Sequence, residues 1–273
     1  MKESPLAPAI VDFIRKHRLD TLDGAFSFSD GSDMVKPGLG RRRRTRVEFH
    51  DDDGRGWILF IKRYEAPSFW RRLCRLAAFR RHWCEAKNEF DNICAVRQAD
   101  VPTMRAVICG AHLGFWGVGR NFIVVTAVPG QSLEKSGDAF FEKYQQNHDM
   151  LDSFNRQILR LVKTFHAAGF VHRDLYASHI FMHEHDGLLE LNLIDMARVF
   201  RPVRRKFRWR VKDLAQLKYS MPAFWVEKYF NRFLEAYLGT SVPKVMKRWQ
   251  RAIDRRVASM ARRAERKRTE SVK

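Results

Sequence analysis

The chain has 273 residues, 45% of them apolar, and a formal net charge of +20 at neutral pH. That length suits one globular domain or two small lobes sharing a cleft. No apolar run approaches the roughly 18 to 20 residues of a spanning helix, which excludes a helical integral membrane protein. The charge selects a polyanionic partner, whether nucleic acid, anionic lipid head groups, a phosphorylated glycan or an acidic protein.

The N-terminal segment has no basic stretch followed by an apolar run and a small-residue cleavage site, so a cytoplasmic protein is expected. Residues 1 to about 35 are mixed, with "DGSD" as a turn. Next, "RTRVEF" and "WILFIKRY" read as strands joined by the turn "HDDDGRG". From about Ser68 to Gln98 the pattern is helical. Trp83, Ala86, Phe90, Ile93 and Arg97 recur at three- and four-residue steps, and Glu89 sits at the edge of that face. "MRAVICGAHL" and "NFIVVTAV" read as two more strands, and Pro129 and Gly130 break the pattern.

Beyond the break, Phe154, Ile158, Leu161, Val162 and Phe165 mark an amphipathic helix stopped by Gly169. "VHRDLYASHIFMHEHDGLLELNLIDMAR" follows, with Asp174 and Asp195 separated by a hairpin. "RVKDLAQLKYSM" and "AFWVEKYFNRFLEAYL" are helical, and from Lys244 a basic helix is expected to fray. The expected organisation is a β-rich lobe over 1–129, a mostly helical lobe over 130–243 and a basic tail over 244–273. Cys74, Cys84, Cys94 and Cys109 form no C-x-x-C pair and are expected as reduced, mostly buried thiols.

Phosphoryl transfer from a nucleotide needs a phosphate clamp, metal ligands and a carboxylate to orient the attacking hydroxyl. The chain offers a candidate for each part, in kinase order. Lys62 ends a strand, where an ammonium can pair nucleotide phosphates, and Glu89 on the next helix can hold it, with Glu85 as the competing partner. Asp174 in "HRD" lies on a loop after a helix and faces the acceptor. Asp195 in "LIDMAR" ends a strand and faces the metal. Asp213 is read as structural, bonding the "HRD" backbone from a helix.

The motifs "KPGLGRRRRTRVEF", "EFDNICAVRQADVPT", "HRDLYASHIF", "LIDMAR" and "RVKDLAQL" occur in this order from about Val35 to Leu217, and together they resemble the lipopolysaccharide kinase (Kdo/WaaP) family. The resemblance implies a two-lobed α+β protein-kinase-like fold, with one main helix in the β-rich lobe. It implies ATP-dependent phosphorylation of a sugar hydroxyl, heptose or Kdo, in the lipopolysaccharide inner core, peripherally at the inner face of the inner membrane. It places Arg173, Asp174, Lys62 and Glu89 in catalysis, Gly38, Gly40, Arg41, Lys62, Thr126 and Val128 around the nucleotide, and Asp195 with His179 at Mg2+. Magnesium prefers oxygen to imidazole, so a structural or acceptor-side role for His179 stands beside the metal role.

Several features depart from protein kinases. Met196 and Ala197 replace the usual Phe and Gly, Phe60 replaces a small alanine, and Ala127 stands where an acidic hinge residue is common. The eighteen positions from Met196 to Asp213 leave no room for a long peptide-docking segment, which favours a compact or membrane-borne acceptor. The arginines and lysine of "RPVRRKFRWR" can contact its phosphates. A kinase for another acceptor and a pseudokinase or basic scaffold remain rival readings. Nucleic acid is not expected, since no helix-turn-helix, finger or RNP-like signature occurs. His183 and His185 read as a polar hairpin tip rather than a metal site. "SFWRRLCRLAAFRR" reads as a basic amphipathic helix, packed on the small lobe or docked on an anionic membrane.

Overall fold

The computed structural model describes residues 5–34, 42–70, 74, 77, 83–115 and 117–270. It divides into two compact units, residues 1–98 with 104–127, and residues 99–103 with 128–273. The phosphate-loop candidates Gly38, Gly40 and Arg41, and most of the basic segment 68–82, lie outside the described residues.

The first unit is built on an antiparallel sheet of β1 (Ser32–Asp33), β2 (Arg42–His50), β3 (Gly56–Tyr64), β4 (Ala106–Gly114) and β5 (Gly117–Thr126), in the order β1-β2-β3-β5-β4. Because side chains alternate along a strand, β3 serves two faces. Leu59 and Ile61 join a buried cluster with Ile10, Ile14, Leu19, Ala25 and Phe28, whereas Lys62 and Tyr64 point toward Glu89.

That cluster corrects the reading of the first 35 residues as mixed. They form α1 (Pro8–Lys16) and α2 (Leu22–Ser27). α1 carries Ile10, Phe13 and Ile14 at helical spacing and is held by packing, while α2 is too short to show a period and is capped by the Thr21 hydroxyl, which accepts from Gly24 N–H. Arg63 pins α2 to the sheet from a buried position, donating to the carbonyls of Ala25 and Phe28 and to the Thr45 hydroxyl.

The helix expected from Ser68 to Gln98 is interrupted. Phe69, Trp70, Cys74 and Ala77 are helical, Trp83 and Cys84 are not, and α3 runs Glu85–Gln98. It starts there because its first amide groups find acceptors. Cys84 Sγ takes Lys87 N–H, and Asn121 Oδ1 takes Ala86 N–H at 3.0 Å. Its buried face is Ala86, Glu89, Ile93 and Val96, so Glu89 lies within that face and not at its edge. The cysteines are less buried than expected: Cys74 is exposed and the other three are half-buried.

The second unit contains α4 (Leu133–Tyr144), α5 (His148–Ala167), a small sheet β6 (Gln131–Ser132), β7 (Ile180–His185) and β8 (Leu188–Leu193), then α6 (Lys206–Ser220), α7 (Ala223–Leu238) and α8 (Pro243–Glu270). The sheet is antiparallel, in the order β6-β7-β8. Gly169, at φ +87°, takes the chain out of α5 in a conformation that suits glycine. The tail does not fray at Lys244. α8 is continuous over 28 residues and is fastened by buried Ile253, a Phe207–Trp249 ring contact and a Lys218–Asp254 ion pair.

Candidate active site

In the first unit Lys62 Nζ donates to Glu89 Oε1 at 2.5 Å, and Tyr64 Oη donates to Glu89 Oε2 at 3.0 Å. Glu89 is completely buried. An ionised carboxylate out of water must be paired and hydrogen-bonded, and here both oxygens are. Burial, then the neighbouring Glu89 carboxylate, push the Tyr64 phenol far up, which keeps it a donor. At the end of β5, Thr126 has its amide and hydroxyl committed to Arg105, and Ala127 N–H bonds the Ile58 carbonyl. Val128 begins the long segment of the second unit.

In the second unit the loop after α5 is held from α6. Asp213, Gln216 and Ser220 recur at i, i+3 and i+7, which puts them on one helical face. Asp213 accepts from His172 N–H at 2.7 Å and Arg173 N–H at 2.8 Å, Gln216 from Leu175 N–H at 3.2 Å, and Ser220 from Ala177 N–H at 2.8 Å. Lys212 donates to the Arg173 carbonyl. Four amides of a loop that has no ladder of its own are thereby satisfied. Asp213 has the structural role read from the sequence. Lys212, Gln216 and Ser220 were missed, although polar residues at helical spacing amid buried apolar ones were the available signal.

His172 is fully buried, and burial lowers its pKa. The neutral ring donates Nε2–H to the Ile194 carbonyl at 2.9 Å, which leaves Nδ1 a bare acceptor with no partner among the described residues. Arg173 adopts φ +71° and lays its guanidinium 5.7 Å from the ring centroids of both Phe200 and Trp209. Of the expected catalytic residues, then, Arg173 is engaged by aromatic rings.

Asp174, Asp195 and His179 come together in this unit. His179 Nδ1 lies 2.7 Å from the Asp174 carbonyl oxygen, which can only accept, so Nδ1 carries the proton. The other ring nitrogen, Nε2, faces Asp195, 3.8 Å from Oδ2. Asp195 sits at φ +63°, between β8 and a 3-10 turn over Met196–Arg198. Such a backbone costs energy and persists where the surroundings over-determine it, a pattern concentrated at functional sites. The turn also delivers a residue the sequence reading left unassigned: Arg198 Nη1 donates to both carboxylate oxygens of Asp174.

No group of three or more His, Cys, Asp or Glu able to hold a metal occurs among the described residues. Asp195 supplies an oxygen donor of the kind magnesium prefers, whereas the His179 imidazole beside it is a poorer one. His183 and His185, stacked at the exposed β7–β8 tip, add no third ligand.

The model of the lipopolysaccharide kinase (Kdo/WaaP) family matches residues 39–237. The lipopolysaccharide core heptose(I) kinase WaaP of Escherichia coli is 26% identical over 219 residues, covering 78% of this chain and 80% of that protein. The enzyme of the same name from strain K12 is 30% identical over 95 residues, 33% of this chain and 36% of that one. Among solved structures, WaaP in complex with acyl carrier protein aligns with a TM-score of 0.62 at 25% identity, over 93% of this chain and 95% of that chain.

Proposed function

The chain belongs to the lipopolysaccharide kinase (Kdo/WaaP) family, phosphotransferases acting on a sugar hydroxyl, and we propose that it phosphorylates a heptose of the lipopolysaccharide inner core from ATP. The heptose assignment, over Kdo, is supported by the name of the relative it matches over most of its length. The observation that carries the reading is the constellation in the second unit, with Asp174 beside the loop backbone, Asp195 on a left-handed residue and His179 bonded to one while facing the other.

In this mechanism Asp174 accepts the proton of the sugar hydroxyl as its oxygen attacks the γ-phosphorus. The β–γ bridging P–O bond breaks and ADP carries away the electron pair. Asp195, with His179 Nε2 as the second donor, would hold a magnesium ion, which would supply charge neutralisation at the phosphates. Lys62, kept extended by Glu89, steadies the α and β phosphates. Thr126 and Val128 are assigned to the base, and Gly38, Gly40 and Arg41, from their sequence motif, to the phosphates. Little covalent help is required, so positioning and electrostatics carry the rate.

The acceptor is lipid-anchored on this reading, which puts the working enzyme peripherally at the cytoplasmic face of the inner membrane. A charge of +20 also suits an acidic protein partner. The solved relative bound to acyl carrier protein supports a partner of that kind.

The test is ATP-dependent phosphate incorporation into purified lipopolysaccharide core, comparing the intact chain with Asp174→Ala and Asp195→Ala in the presence of magnesium. Transfer that both substitutions abolish supports the assignment. ATP binding without transfer to any core overturns this acceptor and leaves a kinase for another acceptor or a pseudokinase.

A further inference from the structure

α8 carries a charge asymmetry that its packing does not use. Over Pro243–Glu270 it holds eleven lysines and arginines against three acidic residues. Six of the cations, Lys244, Arg248, Arg251, Arg255, Arg262 and Arg266, follow one another at steps of four, three, four, seven and four residues, which puts them on one face of the helix. All six are exposed. At about 1.5 Å of rise per residue, the stripe from Lys244 to Arg266 is about 33 Å long.

Other faces of α8 fasten it. Ile253 is buried, Trp249 meets the rings of Phe207 and Tyr237, and Asp254 pairs with Lys218. Within the stripe, Arg248 lies 4.6 Å from the centroid of the Phe207 ring, and none of the six has an acidic partner among the described residues. From Ala261 to Glu270 every residue is exposed.

Like charges three or four residues apart on a helix repel, so the stripe works against α8 unless a polyanion lies along it. The chemistry of the face selects among polyanions. A specific protein interface centres on a desolvated apolar core, and this face offers none, since between Arg255 and Arg262 it is continued by Ala258 and Ser259. Single-stranded nucleic acid is held on aromatic platforms beside its cations, and the stripe has no ring. An anionic bilayer needs neither feature. Its surface potential attracts each nearby cation separately, and it offers a plane to the whole stripe at once.

We propose that this face of α8 is an electrostatic docking strip that lies along the head groups of an anionic bilayer. The proposal rests on the reading of a lipid-anchored acceptor and names the element that meets its membrane. Trp249 and Ile253, the large apolar residues of the helix centre, are spent within the unit, so the strip rests on the surface without the apolar insertion of an amphipathic interfacial helix. A contact held by charge in this way is screened by salt. α8 packs on α6, the helix that holds the loop of Asp174, so docking and catalysis belong to the same unit.

The experiment is sedimentation of the full chain with vesicles of phosphatidylethanolamine and phosphatidylglycerol, and with phosphatidylcholine alone, at low salt and at about 1 M salt. The intact chain is compared with Arg251→Gln/Arg255→Gln/Arg262→Gln. A control, Lys135→Gln/Arg156→Gln/Arg232→Gln, removes the same charge from exposed positions on α4, α5 and α7. Thermal unfolding shows that both variants fold, and phosphate transfer to a delipidated, soluble core oligosaccharide is measured in parallel. The expected result is binding to the anionic vesicles that high salt abolishes, that falls about tenfold or more in the stripe variant and that is nearly kept in the control. Equal losses in the two variants overturn the proposal, because net charge would then suffice. Binding that survives high salt overturns it too, as does an intact chain that binds neither vesicle, which would give the stripe to a protein or nucleic acid. Failure of the kinase reading shows separately, as absence of transfer to the soluble acceptor, because vesicle binding does not depend on turnover.

Discussion

Arg198 Nη1 lies 2.9 and 2.7 Å from the two carboxylate oxygens of Asp174, the proposed proton acceptor, and reaches them from the turn that begins after Asp195. One cation therefore ties the Asp174 carboxylate to the turn that follows Asp195. About half of the Arg198 side chain is exposed, so its removal should leave folding intact and act on the chemistry. Arg198→Ala is expected to lower kcat about 10- to 100-fold, as losing a preorganised charge does, with the ATP KM nearly unchanged. Arg198→Lys should restore part of the rate. Steady-state kinetics of the three proteins decide it, and an unchanged kcat would remove Arg198 from the site.

Lys62 and Glu89 form a buried pair whose members depend on each other. Lys62→Met leaves the Glu89 carboxylate buried with only the Tyr64 hydroxyl, and breaking such a pair costs about 3 to 5 kcal/mol. Urea unfolding should show that loss, and the double variant Lys62→Met/Glu89→Leu should recover much of it. Both variants should be inactive in transfer, which separates the stability role of the pair from its phosphate role.

Asp213 satisfies two loop amides at once. Asp213→Ala strands the buried His172 and Arg173 amide groups and is expected to cost about 3 kcal/mol. Hydrogen exchange of the amides at positions 172 to 177 should accelerate more than that of α7. Equal acceleration throughout would show that the loop has no special dependence on α6.

His172 gives the second unit a pH-dependent stability. Its folded pKa lies below the ordinary histidine value because burial penalises the charged ring. The unfolded chain therefore binds more protons below about pH 6.5, so stability is full above that value and falls as pH drops below it, by at most about 1.4 kcal/mol per pH unit for one proton. Urea unfolding between pH 5 and pH 7 should show a shallower slope in His172→Asn than in the intact chain, where carboxylates contribute equally to both. Identical slopes would count against the assignment.

Legibility in the sequence followed the range of the interaction. The β2–β3 hairpin was readable because strand alternation and turn chemistry are local, and so was the Asp174–hairpin–Asp195 order. Asp213 could be anticipated because a carboxylate at that place in a helix has one economical use, in satisfying loop amides. By contrast, α1 and α2 were read as mixed sequence: the spacing of Ile10, Phe13 and Ile14 in α1 was overlooked, and α2 is too short to show a period and is held by Arg63 and by packing on the sheet. The interruption before α3 was missed because the helix restart at Glu85 is decided by Cys84 and by Asn121, a residue 35 positions away from the amide it accepts from.

By itself, then, the sequence determined the family, the kinase-like α+β order of elements and the residue types available for phosphoryl transfer, all of which are written in short motifs and local periodicity. The tertiary structure alone decided that Asp174 is capped by Arg198, that His179 turns its Nε2 toward Asp195, and that Glu89 is wholly buried beneath Lys62 and Tyr64. Those relationships depend on hydrogen bonds between residues 5 to 27 positions apart, or on where a buried helix face lies. No local pattern encodes such distances, because they are set by how strands and helices pack.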